Sequence, residues 1–235
     1  MTASDASPPF PAARRLCLFD LDGTLIPIDS DHAFGEFMVE IGWADGQVFR
    51  DRNDAFYADY QAGTLDLAAY VDFATAVWRG KPLWEAEAER ERFMCEVMQP
   101  QLHASAQALV REHRARGDLV AIVTATNEFV TAPIAAAFGV EHLLAVQLER
   151  EADGAWSGRI RGTPTFREGK VGRVSDWLAG LGLALGDFSD VVVYSDSIND
   201  LPLLELATEP VATNPSPPLE AIARERGWRV LRLFD

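Results

Sequence analysis

Leu18-Phe19-Asp20-Leu21-Asp22-Gly23-Thr24-Leu25 is the stretch on which the rest of the chain turns. Leu16, Cys17, Leu18 and Phe19 run straight into two aspartates. Unpaired charge is costly to bury, so carboxylates that follow an apolar strand sit at its end and hold something. Gly23 lets the backbone turn sharply, and the Thr24 hydroxyl can bond back into the loop. In an open parallel sheet, the carboxyl ends of the strands are where ligands bind. Asp20 fits a carboxylate nucleophile, and Asp22, two residues on, fits a group that gives and takes a proton. An Asx turn closing a strand is the plainer reading of the same residues.

Two more apolar runs end in polar loops. Leu119-Val120-Ala121-Ile122-Val123 leads into Thr124-Ala125-Thr126, and Val191-Val192-Val193-Tyr194 leads into Ser195-Asp196-Ser197-Ile198-Asn199-Asp200. Between them, Arg167-Glu168-Gly169-Lys170 stands where a helix begins. In this order the four segments resemble the four motifs of the haloacid dehalogenase superfamily, over most of the chain. The arrangement is similar to the phosphoserine-phosphatase-like branch, and Thr124 to Thr131 is similar to its histidinol-phosphatase members.

The resemblance implies a hydrolase of phosphate monoesters that works through an aspartyl-phosphate. Asp20 would be the nucleophile, Asp22 the general acid and base, and Lys170 the balancing charge. Mg²⁺ would be held by the side chains of Asp20 and Asp196 and the backbone carbonyl of Asp22. Asp200 would support Lys170 or a metal water. The Thr124 hydroxyl and the N–H groups of Leu21, Ala125 and Thr126 would meet phosphoryl oxygens. Asn127 and Asn199 fit further phosphate or substrate contacts, or plain loop residues. Dehalogenase relatives lack the second aspartate, so Asp22 points to phosphate esters. A phosphotransferase using the same intermediate and a non-catalytic binding module are the competing readings.

Charge repulsion argues independently for a cation. Two unit charges about 4 Å apart repel by about 4 kcal/mol at an effective dielectric of about 20. Asp20, Asp22, Asp196 and Asp200 would all reach one end of the sheet, and a hard dication with oxygen ligands, Mg²⁺ or Mn²⁺, answers that repulsion. Asp29 and Asp31 follow the first motif. They fit an ammonium receptor, as an amino-alcohol phosphate such as histidinol phosphate or phosphoserine would need, or helix caps. Arg79 is a candidate for reading a carboxylate.

Length and composition bound the partners. The chain has 235 residues, 48% of them hydrophobic, enough for one or two domains with a real core. A formal charge of −15 argues against nucleic acid, whose phosphates need clustered Lys and Arg. No apolar run is long enough to span a membrane. Met1 to Pro11 has no signal-like apolar core, so a short flexible lead and a cytoplasmic protein are expected. The partner is then a small phosphate ester; the pattern fixes no oligomeric state. Cys17 and Cys95 form no metal pattern and are expected as two buried free thiols.

Strands alternating with helices predict an α/β fold, a Rossmann-like parallel-sheet core. Residues 28–99 interrupt it with helical periodicity alone and are expected as an inserted all-helical cap, leaving 1–27 and 100–235 as the core. Phe34, Phe37, Met38 and Ile41 share one helical face, Phe49, Phe56, Tyr57 and Tyr60 a second, and Leu67, Tyr70, Val71, Ala74 and Trp78 a third. The aromatics Phe34, Trp43, Phe56, Tyr57, Tyr60, Phe73 and Trp78 are expected in the core rather than around a ligand. Leu143 to Glu149 is expected as a strand, turned at Asp153-Gly154 to return along Ala155 to Ile160.

Overall fold

The computed structural model describes residues 14–152 and 154–234. The lead at Met1 to Pro11 and the Asp153 half of the expected turn lie outside the described residues. The strands are β1 (Arg14–Phe19), β2 (Leu119–Asn127), β3 (His142–Val146), β4 (Leu148–Arg150), β5 (Trp156–Ile160), β6 (Phe188–Ser195), β7 (Glu209–Thr213) and β8 (Arg229–Leu231). Six of them form a sheet in the order β3-β2-β1-β6-β7-β8, every neighbouring pair parallel. This is the Rossmann-like α/β fold the alternation predicts. The chain leaves β1 toward β2 and β3 and returns on its other side as β6, β7 and β8. That reversal opens a crevice beyond the carboxyl ends of β1 and β6. Phe19 is in register with Tyr194, so Asp20 and Asp196 emerge side by side.

The pleat sorts the apolar residues by alternation. Cys17, Phe19, Val120, Ile122, Val192 and Tyr194 face α5 (Ala104–Arg116) and α6 (Glu128–Ala137). Leu16, Leu18, Ala121, Val123 and Val193 face α7 (Glu168–Gly180), α8 (Leu201–Leu204) and α9 (Pro217–Arg226). Between β1 and β2 lie α1 (Ser30–Glu40), α2 (Gly46–Ala62), α3 (Leu67–Arg79) and α4 (Leu83–Phe93), then a π-helical turn, Met94–Met98. Their buried Phe34, Phe37, Met38, Val71, Trp78 and Phe93 join the first sheet face in one continuous core. Trp78 stacks on Phe129 of α6 with ring centroids 4.1 Å apart. These helices are thus anchored to the sheet by aromatic packing and not only by their connecting chain.

Some boundaries differ from the sequence reading, each for a local reason. β2 continues to Asn127 rather than stopping at Val123, because Asn127 pairs with Val146 after a shift of register. The Leu143–Glu149 strand divides at Gln147, and its second half, β4, pairs antiparallel with β5. Pro133 lies inside α6 and cannot donate to the Phe129 carbonyl one turn back. Arg90 of α4 donates to that carbonyl instead, at 3.3 Å. Cys17 is buried as expected, but Cys95 is exposed on the π-helical turn, which corrects the expectation of two buried thiols; both are free. Among the described residues, no helix is long and apolar enough to cross a membrane.

A buried polar pair pins α5 to the sheet. His113 bonds Asp118 Oδ2 through Nδ1 at 2.6 Å and the Tyr194 hydroxyl through Nε2 at 2.9 Å. Tyr194→Phe removes one partner and leaves a buried nitrogen unsatisfied, which costs about 1–3 kcal/mol. Urea unfolding should show a lower midpoint with an unchanged slope; an unchanged midpoint would contradict this packing role.

Candidate active site

The site begins with a lysine that has no access to water. Lys170 stands in the first turn of α7, and its Nζ donates to Asp20 Oδ1 at 2.8 Å and Asp200 Oδ2 at 2.7 Å. Ser195 Oγ donates to the same Asp200 oxygen at 2.8 Å. All three charged groups are buried. Burial disfavours the ammonium, but the two carboxylates more than reverse that, and the Lys170 pKa ends above its usual value. Burial raises Asp20 while Lys170 pulls it down, with a net rise. The same opposition leaves Asp200 at about 6. Gly169 explains how the helix gets so close. A Cβ there would lie 2.1 Å from the Pro164 carbonyl oxygen, so only glycine lets α7 start against that turn.

Asp196 lies on the far side of Asp20 and has no such cation. Gly23, at φ +73°, passes so close that a Cβ would sit 2.4 Å from Asp196 Oδ2. The Thr24 hydroxyl is 3.2 Å from Asp196 Oδ1 and 3.4 Å from Asp20 Oδ2, and it accepts the Asp196 N–H at 3.0 Å. One hydroxyl proton cannot serve two carboxylates. Burial, then the charges of Asp20 and Asp200, push Asp196 well above the usual carboxylate range. The deficit is one of positive charge, and the donors are all oxygen, which suits a hard divalent cation. Among the described residues, no three His, Cys, Asp or Glu side chains form a metal cage by themselves. Two carboxylates and a main-chain carbonyl would have to suffice.

Asp22 is held differently. Its Oδ1 accepts the Ser30 N–H at 2.7 Å, and its Oδ2 accepts the Thr126 hydroxyl at 2.9 Å, with the Thr124 hydroxyl at 3.5 Å. Burial and the neighbouring Asp29 raise its pKa to about 7 against the pull of those donors. Asp29 caps α1, accepting from Asp31 N and His32 N at 3.1 and 2.8 Å. Asp31 accepts from Asn127 Nδ2 at 3.1 Å and from the Tyr70 side chain. Burial, then the charges of Asp29 and Asp22, raise Asp31 to about 8.

Of the residues singled out by sequence, Asp20, Asp22, Asp29, Thr124, Ala125 and Thr126 line one cavity of about 30 Å³ under the helices of residues 28–99. Lys170, Asp196 and Asp200 do not line it; they adjoin Asp20, Lys170 with Asp200 on one side and Asp196 on the other. The Leu21 N–H is turned to the Asp20 carboxylate. Asn127 does not line the cavity. Its carboxamide oxygen caps α6 through Phe129 N and Val130 N while its nitrogen holds Asp31, because the strand runs on past Val123. Asn199 does not line it either; its nitrogen donates to the Tyr60 carbonyl at 3.0 Å and ties the end of α2 to the core. Arg79 is spent on Asp72 and the β5 backbone, away from the cavity. Phe56, Tyr57, Tyr60 and Tyr70 line the cavity rather than filling the core, a correction to the expectation for the first three. The overlooked signal was chemical: three of the chain's four tyrosines stand in this block, where a purely apolar core would use phenylalanine. The Thr24 hydroxyl bonds back to Asp20 as the sequence suggested, while its link to Asp196 and the support that Ser195 gives Asp200 were missed.

A family model for haloacid dehalogenase-like hydrolases matches residues 17–205. The chain is 40% identical over 218 residues to a histidinol-phosphatase of Neisseria meningitidis, covering 93% of this chain and 98% of that protein. A crystal structure of a Bordetella pertussis protein of unknown function superposes with a TM-score of 0.90 at 52% identity, over 94% of this chain and all of the other. A substrate-bound phosphoserine phosphatase superposes with a TM-score of 0.66 at 18% identity, over 94% of each chain, a likeness of fold.

Asp31 makes a stability prediction. In the unfolded chain its carboxyl titrates near the ordinary 3.8, and in the fold at about 8. The native state therefore keeps a proton that the unfolded state has lost, and this contribution to stability drains away as pH rises from about 4 to about 8. Thermal melts of wild type and Asp31→Asn should diverge across that window, the variant gaining relative stability toward pH 8. A constant difference would contradict the raised pKa.

Proposed function

The chain belongs to the haloacid dehalogenase-like hydrolase family and is a phosphatase, and we propose that it is a Mg²⁺-dependent hydrolase of a small amino-alcohol phosphate that works through an aspartyl-phosphate. The observation that carries this reading is the Asp20 carboxylate, gripped on one side by a buried lysine and left short of positive charge on the other.

Asp20 attacks phosphorus; the new bond joins its carboxylate oxygen to phosphorus as the bond to the leaving oxygen breaks. Asp22, with a pKa of about 7, is in the protonation range to give that oxygen a proton. It then takes a proton from water as the water oxygen attacks phosphorus, and the bond to Asp20 breaks. Asp20 is regenerated and inorganic phosphate leaves. Thr126 and the Ser30 N–H hold the Asp22 carboxylate toward this exchange. Lys170 keeps Asp20 ionised and offsets charge that accumulates on the phosphoryl oxygens. The side chains of Asp20 and Asp196 and the Asp22 carbonyl would hold Mg²⁺. When bound, the ion would neutralise the carboxylates and polarise the phosphoryl group.

Residues 28–99 serve as a cap over residues 1–27 and 100–235. The cavity, about 30 Å³ and partly open, is small for a phosphate ester, so we infer that these helices lift to admit substrate. Asp29 and Asp31 line the cavity together with Phe56, Tyr57, Tyr60 and Tyr70, a set that suits an ammonium on the leaving alcohol. The nearly full-length likeness to a histidinol-phosphatase supports the same class. Two unpaired cysteines fit a reducing compartment, and we assign the cytoplasm.

Turnover of p-nitrophenyl phosphate with Mg²⁺ tests the core of this proposal. The wild type should lose activity in EDTA and regain it with Mg²⁺, and Asp20→Asn should be slower by roughly a thousandfold or more. A variant as fast as the wild type would remove Asp20 as nucleophile.

A further inference from the structure

The part of the cavity that faces away from Lys170 is unusual in what it lacks. Neither lysine nor arginine lines it among the described residues. The nearest ammonium, Lys170, already donates to Asp20 and Asp200. His32, the one basic side chain in the lining, bonds Asp54 through Nε2 at 2.8 Å. Against this, two carboxylates beyond the catalytic pair, Asp29 and Asp31, line the same space.

The two are not equivalent. Asp29 has a structural task, since its Oδ1 caps α1. Asp31 is 6% exposed and contacts only neutral groups, the Asn127 carboxamide and the Tyr70 hydroxyl. Among the described residues, no cationic side chain bonds it. Resting on the phosphatase reading above, we propose that Asp31 is the specificity-determining residue of the cavity and selects leaving alcohols that carry a positively charged nitrogen and no carboxylate.

The physical argument has two halves. A carboxylate on the substrate would leave water for a space that offers two further carboxyl groups and, among the described residues, no free cationic partner, and that desolvation would go uncompensated. A substrate ammonium or imidazolium would meet the opposite situation. It gives Asp31 the charge partner it lacks and returns its raised pKa toward the ionised range. Asn127 and Tyr70 fix the carboxylate from behind, so it need not reorganise to receive the cation. Phe56, Tyr57 and Tyr60 line the same space, and aromatic rings attract cations. Amine-bearing esters of amino alcohols are therefore accepted, and amine-bearing esters of amino acids are refused.

The test measures kcat and KM for four esters: p-nitrophenyl phosphate, O-phosphoethanolamine, histidinol phosphate and O-phosphoserine. Wild type, Asp31→Asn and the charge-preserving Asp31→Glu are compared. In the wild type, kcat/KM for phosphoethanolamine and histidinol phosphate should exceed that for phosphoserine by at least about tenfold. In Asp31→Asn, the ratio of phosphoethanolamine to p-nitrophenyl phosphate efficiency should fall by roughly tenfold to a hundredfold, the cost of losing a hydrogen bond to a charged group. That fall should sit in KM, the gap to phosphoserine should narrow, and Asp31→Glu should recover part of the preference. A wild type that takes phosphoserine as readily as phosphoethanolamine overturns the inference. So does an Asp31→Asn variant, folded by thermal melt, whose substrate ratios match the wild type. Both results leave the phosphatase reading standing, whereas a wild type inert toward all four esters overturns the two together.

Discussion

More carboxyl groups are gathered at one end of the sheet than the described cationic side chains there can pair. Asp20, Asp196 and Asp200 are all buried or nearly so, and each is pushed up from the usual carboxylate range. Among the described residues, Lys170 is the cation that reaches this cluster, and it pairs with two of the three. A buried ion pair gains little net stability, because desolvating both partners offsets most of the attraction. Its retention here is better understood as placement: the lysine holds one oxygen of Asp20 and leaves the other facing Asp196.

The backbone is shaped around that arrangement. Parallel pairing of β1 with β6 in the register Phe19 to Tyr194 brings the two acid-bearing ends together. Two glycines then permit approaches that no other residue allows. Gly23 lets the loop after β1 lie against Asp196, and Gly169 lets α7 begin against the Pro164 carbonyl. Beyond them, helices from residues 28–99 cover the crevice and are moored by contacts with the catalytic loops: Asn199 and Arg167 donate to carbonyls at the end of α2. These bonds tie the helices over the cavity to the same loops that carry Asp200 and Lys170.

What could be read from sequence followed from strong local signals. Apolar runs of strand length that end in Asp or Thr located β1, β2 and β6 and the residues at their tips, because a buried strand has few places to put a carboxylate. Helical periodicity located α1, α2 and α3. What could not be read depends on which side of an element faces the crevice. Phe56, Tyr57 and Tyr60 fit a core-facing stripe by spacing, yet the helix turns them toward the cavity. Asn127 followed a catalytic-looking strand, and only the extension of β2 revealed that its side chain is consumed by α6 and Asp31. Cys95 lies where an α-helix gives way to a wider turn, and that shift of phase carries it outward.

Calorimetric titration of Mg²⁺ into the wild type and Asp196→Asn examines the charge deficit directly, apart from any assay of turnover. One divalent ion should bind the wild type, and binding should be lost or strongly weakened when residue 196 is neutral. Equal binding by both proteins, or none by either, would contradict the idea that a divalent cation completes this cluster of buried acids.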